Sequence, residues 1–201
     1  SGLIMLVSII GLVIVHFIES GELTFDYNLL LGTESALSGT TSFLLMLGFF
    51  IAFAVKMPLV PFHGWMADTQ EQSPTAGSVD ISGIMLKTAA YGLLRFTLPL
   101  FPEASLQFTP VAMTLGVISI FYGAWLAFKQ TDIKRLAAYS SLSHMGFVTV
   151  AIYAGSTLAY QGAVVQMITN GLSGAALIII SGQLYERTQT RDMRMMGGLW
   201  K

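Results

Sequence analysis

Two lysines stand in stretches too apolar to hold a charge without cause. Lys56 lies in FFIAFAVKMPLVPFHGW, followed at once by Pro58 and Pro61, and Lys87 lies in ISGIMLKTAAYGLL. His144 sits in SSLSHMGF and Asn170 in VVQMITNGLSG. A charge in lipid is costly, and a broken helix persists there only where protein or a water-filled cavity covers it. A lysine taken out of water holds its proton less firmly, so it can gain and release one near neutral pH. The chemistry these residue types can do together is a proton relay along a polar path through a membrane.

Each residue also has a plainer reading. A lysine near a helix end can snorkel to the interface. Tyr91 and Arg95 follow Lys87 at i+4 and i+8, however, which makes a polar stripe and not a lone charge. Pro58 and Pro61 remove two backbone donors and leave the carbonyls of Ala54 and Met57 short of partners, to be supplied by water or a side chain. His144 is either structural or part of a hydrated relay, with Ser140 and Ser141 on its face at i−4 and i−3. Gln166, Asn170 and Ser173 share a face by the i, i+4, i+7 rule. That face holds water for protons or packs a neighbouring helix, with Gly171 and Gly174 allowing close approach. His63 and Trp65 are interfacial anchors or a place of proton uptake. His16, at an outer interface, carries no further reading.

The elements that must position these groups are apolar helices. Hydrophobic residues make up 54% of the chain and charged residues 10%, against about a quarter charged in soluble domains. Apolar runs occupy 3–18, 42–66, 81–98, 111–129, 136–154 and 158–185, which predicts an all-α, multi-pass transmembrane bundle of about six spans with one broken helix. Pro99, Pro102, Pro110, Asp132 and Gly155 bracket the runs. Period-2 alternation is missing, which argues against a β-barrel. The net charge of −1 gives no reason to expect a nucleic-acid partner. The lack of cysteine excludes a thiolate zinc or iron–sulfur site within the chain. No other metal or cofactor motif is present, so none is expected. The chain opens at Ser1 inside an apolar run and is read as an internal stretch of a longer protein.

Alternate loops share a side. Segments 19–41, 99–110 and 155–157 contain no Lys or Arg, whereas Glu19, Glu22, Asp26 and Glu34 fall in the first of them. Lys129, Lys134, Arg135, Arg187, Arg191, Arg194 and Lys201 collect on the other side, which the positive-inside rule makes cytoplasmic. At about 1.5 Å of rise per residue, Lys56 and Lys87 lie roughly 10 Å from the cytoplasmic face, and His144 and Asn170 roughly 12 Å. Four polar groups on four spans are thus expected in one layer, as a side-to-side row. No carboxylate stands inside a span to partner the lysines.

The motifs VKMPLVPFHGW, SPTAGSVDISGIMLKTAAYGLLRF, TDIKRLAAYSSLSHMGF and YERTQTRDMRMMGGLW resemble the M-chain family of bacterial respiratory complex I, the NADH–quinone oxidoreductase, whose mitochondrial counterpart is subunit 4. The likeness extends over essentially the whole chain. It implies a fourteen-helix antiporter-like subunit of which residues 1–201 form a proton-conducting part, similar to helices six to eleven. It implies that Lys56 is the broken-helix lysine, Lys87 the central lysine and His144 the first of two relay histidines. The acid that pairs with Lys56 would precede Ser1, and an exit-side acid would follow Lys201. Asn170 stands where the family has its second relay histidine, and Ala67 and Gln70 stand where it usually has Pro and His.

The expected function is therefore proton translocation within a proton-pumping oxidoreductase of the bacterial cytoplasmic membrane. NADH, flavin, iron–sulfur centres and electron transfer would belong to other subunits. Its expected partners are neighbouring membrane subunits, antiporter-like ones included, together with lipid, water and protons. The alternative is a subunit of the same fold in an Mrp-type cation/proton antiporter or a membrane-bound hydrogenase. A third reading is an inert scaffold, since the flanking acids are missing, and the stretch alone is expected to pass no protons.

Overall fold

The computed structural model describes residues 1–36 and 39–197. Every regular element among them is helical, and a single bridge between Asp132 and Asp192 is the only sheet-like pairing. The first apolar run forms α1 (Gly2–Ser20), which stops at Gly21, where a φ of 72° closes the helix. A short α2 (Tyr27–Leu30), capped by the Asp26 side chain, and the 3-10 turn Leu31–Ala36 follow in the acidic segment. His16 is not idle: its Nδ1 meets Thr33 Oγ1 at 2.8 Å and ties α1 to that turn.

The second run is broken where the prolines stand. It forms α3 (Gly39–Lys56), a non-helical passage, and then α4 (Gly64–Gln72), which extends past the end of the expected span at 66. The next helix, α5, runs 75–100 and is regular only in parts. Two π turns, Ile81–Met85 and Leu93–Thr97, interrupt its α-helical backbone. Three long helices follow: α6 (Pro102–Phe128), α7 (Ile133–Tyr153) and α8 (Thr157–Thr188). Pro110, expected at the edge of a crossing, lies inside α6. A proline forfeits one helical hydrogen bond, a loss that neighbouring helices make tolerable in a membrane. Among the described residues, α1, α3, α6 and α8 are long and apolar enough to cross a membrane. The runs expected to make two further crossings correspond to α5 and α7, which carry Lys87 and Arg95, and Lys134, Arg135 and His144.

The helices meet in two different ways. An aromatic knot joins α3, α6 and α7, with Phe50 4.7 Å from Phe108 and 6.0 Å from Tyr153. Nearby, α6 and α7 touch backbone to backbone. A Cβ at Gly146 would fall 2.7 Å from the Gly116 carbonyl oxygen, so only glycine permits this crossing. The other meeting is polar and lies where α4, α5, α7 and α8 converge. At its basic end Asp132 caps α7, accepting from the backbone N–H groups of Lys134 and Arg135 at 2.8 and 3.0 Å. The stretch after α8 pairs with the turn before α7, as Met193 N donates to Thr131 O at 2.9 Å. Lys201, expected on this basic side, lies outside the described residues.

Candidate functional site

At the break, the protein supplies its own partners. The carbonyl of Ala54, expected to be free, accepts from Leu59 N at 2.9 Å. The Val55 carbonyl accepts from the Trp65 indole Nε1 at 2.8 Å, so Trp65 reaches back from α4 and caps α3. Val60 N donates to Ser119 Oγ of α6 at 3.0 Å. Pro58 is buried within the passage and Pro61 is exposed at its end. The backbone of Leu59 and the side chains of Trp65 and Ser119 thus serve groups at the break, where the sequence reading expected water or a side chain. Beyond the break, the His63 ring packs edge-on against Tyr122, 5.2 Å between centroids, with its Nδ1 buried and unpartnered.

Lys56 does not join the expected row. It is the last residue of α3, its side chain is exposed, and it makes no hydrogen bond or ion pair among the described residues. The break ends the helix at Lys56, so no following turn of α3 covers its side chain.

Lys87 is placed differently. The π turn Ile81–Met85 precedes it, and in that turn Ser82 presents its carbonyl to the Lys87 ammonium and its hydroxyl to Gln70. A π turn inserts a residue into helical register and is a frequent mark of functional sites. On the facing helix, Gly171 lets α8 lie against the lysine stem: a Cβ there would stand 3.0 Å from the Gly83 carbonyl oxygen and 3.5 Å from Lys87 Cε. An open groove of about 770 Å³ runs between α5 and α8, lined by Lys87, Thr88, Tyr91, Met167 and Gly171, with Asp80 farther along α5. Asp80 is a carboxylate that the sequence reading left outside the spans. Tyr91 is exposed on this groove. Arg95 leaves the stripe, because the second π turn contains it and its guanidinium stacks on Tyr27, 4.8 Å from the ring centre.

His144 of α7 lies within electrostatic reach of Lys87. Its Nδ1 meets Gln166 Nε2 at 2.9 Å, so the polar pair joins α7 and α8 directly. Ser140 is half-buried one turn earlier on α7. Asn170 is buried, and its Nδ2 has no partner. Ser173 does not share that buried face. It is exposed and donates to the carbonyl of Thr169 in its own helix at 2.8 Å. At about 100° per residue Ser173 stands about 60° around the helix from Asn170, enough to put it on the rim.

Sequence reasoning missed Ser78, Ser82 and Lys134, and noted Gln70 only as a departure from a family pattern. All four are buried and connected, with Lys134 donating to Ser73 O at 2.8 Å and lying 3.4 Å from Ser78 Oγ. The available signal was Lys134 beside Arg135. Adjacent helical residues point about 100° apart, so the two cannot both face the same surroundings. Arg135 faces outward and pairs with Glu71 at 2.6 Å and Asp68 at 3.0 Å. These ion pairs are partly exposed and contribute about 0–1 kcal/mol, so they orient α4 more than they stabilise it. No group of three or more potential metal ligands occurs among the described residues.

Comparison with known proteins bears on this arrangement. The family described as NADH:quinone oxidoreductase/Mrp antiporter, TM, matches residues 1–201. The NADH-quinone oxidoreductase subunit M of Escherichia coli (strain K12) is 68% identical over 200 residues, covering 100% of this chain and 39% of that protein. The chain thus spans about two fifths of the length of the curated relatives it matches. A chain of respiratory complex I from Thermus thermophilus with bound NADH superposes with a TM-score of 0.88 at 32% identity, over 98% of this chain and 41% of that one. A chain of the Mrp complex from Dietzia sp. DQ12-45-1b does so with a TM-score of 0.73 at 25% identity, over 98% and 22%.

Proposed function

The chain belongs to the NADH:quinone oxidoreductase/Mrp antiporter transmembrane family, and from that premise we propose that it is the central part of a proton-translocating membrane subunit of an NADH–quinone oxidoreductase. Lys87 is the proton carrier of this part. The observation that carries the reading is its setting: the ammonium donates to the Ser82 carbonyl of the π turn that precedes it in α5, the stem lies against Gly171 of α8, and His144, paired with Gln166, is within electrostatic reach. A lysine so placed is partly stripped of water and has polar groups on three helices to hand a proton to or take one from.

In this reading α5 and α7 cross the bilayer with the four apolar helices, and the basic turns face the cytoplasm of a bacterial inner membrane. His144 and Gln166 form the next polar step after Lys87, with Asn170 beside it. Asparagine donates and accepts hydrogen bonds without titrating in this range, so protons pass Asn170 on water. Lys56 acts with an acid supplied from outside residues 1–201. Electron transfer and its cofactors reside in other subunits, and the large apolar side chains exposed on the outer helices, Phe121, Trp125 and Phe128 among them, face lipid and neighbouring membrane subunits.

The alternative of an Mrp-type antiporter subunit keeps the fold and the lysine but has no redox partner. Purification of the full assembly separates the two, since co-purifying flavin and iron–sulfur subunits belong to the oxidoreductase alone. The reading itself is tested by Lys87→Ala in the full-length subunit within the assembled complex. Pumping into vesicles should collapse while assembly persists, and normal pumping would refute the assignment. Lys87→Arg should not rescue it, because arginine keeps its proton.

A further inference from the structure

The mechanism above gives Lys87 a place to send protons but no source. The buried residues between Lys87 and the basic turn before α7 form a file of side chains from three helices. At one end is Lys134, 4% exposed although Arg135 beside it is at the surface. Its Nζ donates to Ser73 O at 2.8 Å and lies 3.4 Å from Ser78 Oγ. Ser78 Oγ donates to the backbone carbonyl of Gln70 at 3.1 Å, and Gln70 Nε2 donates to Ser82 Oγ at 2.7 Å. Ser82 then accepts from the Lys87 ammonium through its carbonyl. Ser78, Gln70 and Ser82 are each fully buried. Gln70 Oε1 is a buried acceptor without a partner, in the middle of the file.

This is an unusual use of buried polar groups if the purpose is only to hold helices together. A buried ammonium is costly unless paired, and Lys134 makes no ion pair among the described residues. The charges that face it are Asp132 on the turn before α7 and Arg191 on the stretch after α8, of opposite sign. Arg191 is held there by Glu71 O, to which its Nη1 donates at 2.6 Å. A buried lysine with opposed charges around it, and a polar file leading to a second lysine, is a construction suited to changing its protonation state.

We infer that Lys134 is a second protonatable lysine, which loads Lys87 along the file Ser78, Gln70 and Ser82. The inference rests on the reading of Lys87 as a proton carrier. In each transfer the Lys134 ammonium releases one proton to water hydrogen-bonded at its Nζ and becomes a neutral amine. Each hydroxyl or water along the file accepts one proton and gives up one. The neutral amine of Lys87 takes the last proton and becomes an ammonium. Gln70 carries no net proton; its amide orients Ser82 through Nε2 and offers Oε1 to water. Lys134 is recharged from water at the Arg135 end, so one proton has moved and no electron.

The test uses the full-length subunit in the assembled complex, reconstituted in vesicles, with pumping followed by a pH-sensitive dye and redox turnover read in parallel. Lys134→Gln should lower pumping by roughly a hundredfold, the low end of the range for a lost acid–base group. Lys134→Arg keeps the charge and the bonds to Ser73 and Ser78, and should lower pumping about equally because arginine does not release its proton. Gln70→Leu cuts the file without touching Lys134 and should do the same. Where Lys134→Gln does not assemble, the Arg and Leu variants carry the test. Parent-level pumping by Lys134→Arg would show that Lys134 supplies only a fixed charge, and would overturn the inference. Parent-level pumping by Gln70→Leu would equally overturn the route. If these variants pump normally while Lys87→Ala does not, this inference fails and the role of Lys87 stands. If Lys87→Ala pumps normally, the role of Lys87 fails first.

Discussion

The chain interrupts two helices beside two lysines, and does so by different means. After Lys56 the interruption is made by prolines, and it is mended by neighbours: Trp65 caps Val55, Ser119 holds Val60, and Leu59 takes Ala54. Before Lys87 no proline is present, and the helix widens into a π turn without breaking. The first device ends a helix and leaves its lysine exposed. The second keeps the helix whole and turns a carbonyl and a hydroxyl of Ser82 toward two different polar partners. A break presents a lysine outward, while a π turn builds a site around one. The difference follows from which backbone groups are freed: a proline removes a donor, whereas a π turn shifts the register of donors that remain.

Lys87→Ala should sharpen the contrast most. We expect pumping to fall by about two orders of magnitude in the assembled complex, as for loss of a general acid–base group. Lys56→Ala should also impair pumping, through the loss of a partner for an acid outside this part. Its effect on stability should be small, within about 0.5 kcal/mol, because its side chain is exposed and makes no hydrogen bond or ion pair among the described residues. Thermal unfolding of both variants checks this, and a large destabilisation by Lys56→Ala would break the comparison.

Trp65→Phe keeps the ring and removes the donor to Val55. A buried carbonyl left unpaired costs about 1–3 kcal/mol, so the variant should lower the unfolding temperature and raise amide exchange at the end of α3. Unchanged exchange there would mean that water caps the break and the indole does not. The smallest effect is expected at Asn170. Asn170→Leu should lower pumping modestly, and Asn170→His should keep or raise it, since histidine adds a group that titrates. Parent-level pumping by the Leu variant would return Asn170 to a packing role.

The break itself was legible in the sequence, because Pro58 and Pro61 stand three residues apart and remove two backbone donors within about one helical turn. The apolar runs were legible too, since composition alone sets what can sit in a bilayer. Lys87 and His144 stood out as rare polar types in such runs. Their neighbours did not. Ser82 and Gln70 are twelve residues apart in sequence, on α5 and α4, and meet only in the folded protein. Ser173 looked like a member of the Asn170 face by simple spacing, and the packing of α8 put it on the outside. Lys134 read as one more basic residue of a cytoplasmic turn, and only the docking of α7 against α4 and α5 buried it.

Sequence by itself determined the class of the molecule, the place of its break and the rarity of its charges, because each depends on one residue type in one solvent. The tertiary structure alone decided which charges are buried, which carbonyls are capped and which hydroxyls meet. Those outcomes depend on helices distant in the chain arriving at the same place, and on the few glycines that let them come close enough.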